Sequence, residues 1–204
     1  MDPLLQVVMA ICFAIPCFVM SVHLAKVWRD PMAMEEGAWV NRGMGIFIME
    51  FILLHAGVFI GSAMAETSHM GVRLLVLLGL ILFYGIFAAA ISWAFKSRQI
   101  LNSFLWLIGG RFVAIVIGVS EEKAELITMH SLYASMVYLA VVFATVFVPF
   151  PEFGITDSIA RRFRLEGASG LWVDKPHRAI GGATIYYFLV GVMEIGLLSW
   201  IEPG

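Results

Sequence analysis

The chain has 204 residues, of which 61% are hydrophobic and only 14% charged, with a formal net charge of −2. Soluble domains carry about 25% charged residues, so this composition leaves little room for a folded water-soluble domain, and the charge balance points to no nucleic-acid partner. It predicts an all-α polytopic transmembrane helical bundle, one domain over residues 1–204.

Six apolar spans follow in order. The first, 3–27, contains Pro16 as an expected kink. The opening MDPLLQ lacks a basic n-region, so this run is expected to persist as a helix. Cys12 and Cys17 both lie in it, five apart and about 140° apart on a helix. They are therefore expected as small buried apolar residues, neither a disulfide nor a metal pair. The second span, 43–65, carries Glu50 and His55. Ionisable groups at such depth are costly and usually face protein or water, so this helix is expected to be contacted on most of its circumference. Its Gly57–Gly61 spacing is a GxxxG element, which shares the face of Glu50 and so suggests packing within the chain. The third span, 74–95, is the most uniformly apolar. The fourth, 99–119, has Arg111 near its middle. The fifth, 124–148, is closed by Pro149 and Pro151. The sixth, 176–201, is expected to start with Asp174 as N-cap and Pro176 in the first turn.

Loop charge orients the bundle. With six spans, one side holds Arg73 and Lys123, and the other holds Lys26, Arg29, Arg42, Lys96, Arg98, Arg161, Arg162, Arg164, Lys175 and Arg178. The positive-inside rule then places both termini on the non-cytoplasmic side. Two cytoplasmic loops are longer than connectors need. Residues 30–41 suit the interface, with Trp39 as an aromatic anchor. Residues 150–173 contain DSIARRFRLE, where Asp157 is expected to cap a short helix with Ile159 and Phe163 on one face. Arg161, Arg162 and Arg164 then meet either water or anionic lipid headgroups.

Depth decides which polar groups could act together. At about 1.5 Å per residue from the cytoplasmic ends, His55 and Arg111 lie about 18 Å in, Glu194 and His130 about 27 Å, Tyr133 about 22 Å and Glu50 about 10 Å. An unpaired arginine in hydrocarbon requires a carboxylate, and Glu194 is the deep candidate. Three uses of the set are open. An Arg111–Glu194 pair with hydrogen-bonded His55, His130 and Tyr133 would lock the bundle. Alternatively Glu50, His55, Arg111 and Glu194 line a transport or proton path, for which carboxylates and imidazoles are the usual carriers. Thirdly, His55 and His130 could ligate haem b or a metal from two helices. His23, His69 and His177 offer no second ligand pair. No Gly-x-Ser-x-Gly, HExxH, paired aspartates or CxxC is present, so enzymatic chemistry is not expected. No cofactor is predicted outright; an oligomer or partner membrane subunits would suit a bundle of this kind.

Two segments, GIFIMEFILLHAGVF and GLWVDKPHRAIGGATIYYFLVGVMEI, resemble a group of uncharacterised bacterial multi-pass membrane proteins. The resemblance implies a bacterial inner-membrane location, assigns no activity and carries over no site residue.

Overall fold

A computed structural model describes the backbone at residues 3–66, 70–95, 98, 101, 102, 104, 105, 121–164 and 169–198. Side chains are described at 11, 12, 14–56, 58, 59, 71, 72, 74–95, 98, 101, 102, 104, 105, 129–164 and 169–196. Every described element is helical. In order they are α1 (Pro3–Arg29), two 3-10 turns (Pro31–Ala33 and Glu35–Gly37), α2 (Ala38–Glu66), α3 (Met70–Ala94), α4 (Glu121–Phe147), α5 (Asp157–Arg162), α6 (Leu171–Asp174) and α7 (Pro176–Leu198). Among the described residues, four helices are long and apolar enough to cross a bilayer, over Glu35–Ala56, Leu74–Ala94, Met129–Phe147 and Pro176–Gly196. The surface agrees: Leu75, Leu78, Leu82 and Ile86 form a stripe along α3, each at least 62% exposed. So extensive an apolar face suits hydrocarbon and not water. The expected first span is helical throughout as α1. The expected fourth span, with Arg111, lies outside the described residues apart from Leu101, Asn102, Phe104 and Leu105.

The chain divides into two compact units, residues 1–44 with 137–204, and residues 45–136. In the first, α1 packs along α7. Glycines set how closely the helices approach. A Cβ at Gly191 would lie 2.9 Å from Phe18, one at Gly181 2.8 Å from Trp28, and one at Gly43 2.6 Å from Ile180. Leu24, Val27, Ile180 and Ala183 close the seam without solvent. One polar pair crosses it: Ser21 Oγ donates to Thr184 O at 2.8 Å. In the second unit, Met49, Ile52 and Ala56 of α2 meet Leu77, Tyr84 and Ala88 of α3 together with Phe104. These positions recur at spacings of three, four or seven residues, as a helix face requires.

Some local expectations change. Asp174 does not cap α7; it ends α6, with Lys175 between the two helices, and its carboxylate takes Arg164 Nη2 at 2.9 Å. That ion pair also removes Arg164 from the set of unengaged loop cations. Thr156, not Asp157, holds the N-cap position of α5, and Asp157 sits in its first turn. Cys12 is exposed and Cys17 half-buried, both as free thiols. Cys12 therefore faces outward instead of being buried, because α1 uses its opposite stripe against α7.

Candidate functional site

Among the expected polar groups, Glu50, His55, His130 and Tyr133 lie in the second unit and Glu194 in the first. Arg111 lies outside the described residues, so the Arg111–Glu194 pair rests on sequence alone. His55 sits on α2 between Phe51 and Phe59, which are 41% and 53% exposed. Its stripe is therefore an outward edge of the helix, and α2 is not enclosed on every side. Glu50 lies away from that stripe, next to buried Met49 and beside Leu53 and Leu54, and is itself half-buried.

The imidazole of His55 is fixed. Nδ1–H donates to Phe51 O at 2.8 Å, and the ring lies 3.9 Å from the Phe51 ring centroid. A helix leaves its carbonyls able to accept a second bond, so a histidine four residues on can satisfy one nitrogen without leaving its own helix. This bond selects the tautomer with the proton on Nδ1 and leaves Nε2 as the basic atom. Glu50 precedes it by five residues, about 7.5 Å along the axis. A carboxylate and a base are thus present in one membrane-crossing helix. On α4, His130 is half-buried, while Tyr133 is 46% exposed and faces outward. Among the described residues, no group of three or more His, Cys, Asp or Glu gathers as a metal cage.

A second polar assembly was not legible in the sequence. At one end of the first unit, Glu35 accepts Trp39 Nε1–H at 3.1 Å and pairs with Arg42. The Trp39 ring meets the His23 ring of α1 with centroids 4.1 Å apart. Trp39 is thus a helix-to-helix contact as well as a boundary aromatic. Glu35, Glu36 and Gly37 all have positive φ, at 48°, 53° and 90°, and the Phe163 ring occupies the space where a side chain at Gly37 would stand. The left-handed turn is held by these contacts against the cost that non-glycine residues incur there. His23 Nε2 and Asn41 Oδ1 are buried without hydrogen-bond partners among the described residues.

The same end closes two helix termini. Trp28 Nε1–H donates to Pro151 O at 2.9 Å, and the Gly154 amide donates to Trp28 O at 3.1 Å. Arg178 Nη1 donates to Thr145 O and Val146 O, both at 3.0 Å. Trp172 Nε1–H reaches Thr145 Oγ1 at 2.9 Å. Final carbonyls of a helix lack intrahelical partners and carry its negative pole, which a guanidinium suits. Only Arg178, two residues after a first-turn proline, had a signal in the sequence, and that signal was of topology.

The chain matches no family model, no curated protein and no solved structure.

Proposed function

We propose that the chain is a non-enzymatic multi-pass protein of a bacterial inner membrane whose in-membrane carboxylate and imidazole groups form a path for protons or small ions. The observation that carries this reading is His55: with Nδ1–H held by Phe51 O, Nε2 is left as the basic atom of the ring. Glu50 on the same helix is the second carrier. In this arrangement the protein spans the membrane six times with both termini outside the cytoplasm, and exposed Arg161 and Arg162 rest against anionic headgroups. The test is pH-dye flux in proteoliposomes under an imposed gradient. Flux should vanish in Glu50→Gln and His55→Phe variants that still purify as folded protein. Wild-type vesicles as tight as empty ones would overturn the reading, whereas variants that only lose their fold would favour a structural network. Cysteine accessibility at the two termini tests the sidedness.

The same bond supports a second reading. A histidine whose Nδ1–H is tied to a backbone carbonyl presents Nε2 as a ligand atom, so His55, with His130 as the second imidazole, would be the residue to hold haem b. A Soret band that shifts on reduction and is lost in His55→Ala would establish it. A featureless spectrum from haem-replete cells removes it.

A further inference from the structure

His177, in the first turn of α7, is 5% exposed and has no part in the proposed path. Gly181, one turn further along, marks what covers this face. A Cβ there would lie 2.7 Å from Phe150 Cδ1 and 2.8 Å from the Trp28 ring. Positions four apart share a helix face, so His177 lies on the face covered by the segment that leaves α4, residues 149–156. That segment is docked by the Trp28–Pro151 and Gly154–Trp28 bonds, and Ile155 in it is fully buried. Phe153 at its turn has φ 45°, a left-handed conformation that a phenylalanine adopts only under constraint.

Four charged groups act on the imidazole: Glu152 from the covering segment, Asp157 from the first turn of α5, Lys175 from just before α7 and Arg178 from its first turn. Two are negative and two positive, so their fields oppose one another and access to water decides the balance. We propose that His177 is the latch of a pH-sensitive strap: residues 149–156 lie docked while the imidazole is neutral and lift off α7 when it is protonated. An imidazolium needs water or a dedicated carboxylate, and the docked strap excludes the first. Lifting the strap breaks the Trp28–Pro151 bond and frees the end of α1. The inference is independent of the proton-path reading.

Hydrogen–deuterium exchange on the full chain in detergent, compared at pH 7.5 and pH 5 after correction for intrinsic rates, tests it. Peptides covering 150–157 should lose protection at least tenfold more in the wild type than in His177→Gln, while peptides from α3 keep theirs in both. Equal pH dependence in the two proteins overturns the latch. Should His177→Gln not fold, Glu152→Gln serves instead. It removes a carboxylate that steadies the imidazolium beneath the strap, so the acid-driven loss of protection should grow. An unchanged or smaller loss overturns the proposal.

Discussion

Gly154→Ala tests whether the turn after α4 is held on α1 by close fit. A Cβ at this position would lie 2.3 Å from Arg29 O, 2.9 Å from Arg29 C and 2.7 Å from Pro31 Cδ. Two of these atoms are backbone at a helix end, so no rotamer change relieves the overlap. Ordinary contact demands a separation larger by about 1 Å. Such a shift breaks the Gly154 amide bond to Trp28 O and draws Pro151 O away from Trp28 Nε1. Each bond contributes about 1 kcal/mol net. The edge contact between Trp28 and Phe153, with centroids 4.8 Å apart, contributes about 0.5–1.5 kcal/mol beyond area burial. The expected loss is therefore about 2–4 kcal/mol, a fall in thermal midpoint of about 4–16 °C for a chain of this size. The assay is thermal unfolding in detergent by tryptophan emission. Gly79→Ala is the control: nothing lies within 4 Å of its added Cβ, so it should be neutral or gain up to about 1 kcal/mol from helix propensity. A Gly154→Ala midpoint within about 2 °C of the parent would refute the argument that backbone proximity, not sequence preference, places glycine there.

Three further outcomes are expected. Arg178→Met should lower stability by about 1.5–3 kcal/mol, since a charged donor leaves two carbonyls and one of them remains open to water; Arg178→Lys should recover part of it, and chemical denaturation in detergent distinguishes the two. Glu36→Gly should raise stability by about 1 kcal/mol, because Glu36 stands at φ 53° where glycine meets no penalty, whereas Glu36→Val should lower it. A double-mutant cycle of Trp172→Phe with Thr145→Val should return a coupling of about 0.5–1.5 kcal/mol for the 2.9 Å bond between them; additive losses would mean that the bond contributes nothing.

The ionisable groups of the second span could be singled out before the fold. Glu50 and His55 stand out because nothing else in an apolar run of that length is ionisable, and the cost of burying charge in hydrocarbon makes each a question. Tyr133 illustrates the limit. Its spacing from His130 put it one turn away, but spacing on one helix does not say which face the neighbours cover, and the tyrosine is 46% exposed. Trp39 shows the converse, since an aromatic expected at the boundary also joins α2 to α1 through His23.

Composition and hydropathy alone determined the all-helical class and the positions of the long apolar runs, because in lipid every backbone donor and acceptor must be satisfied within its own segment. Residue type at each position follows a local rule of this kind. Tertiary structure decided what depends on contact between distant parts of the chain: that Asp174 answers Arg164 instead of capping α7, and that Arg178 closes α4. It likewise decided that Gly154 seals the end of α1. The carbonyls involved are present in every helix, and only the fold determines which donor, the Arg178 guanidinium at 3.0 Å or the Gly154 amide at 3.1 Å, reaches them.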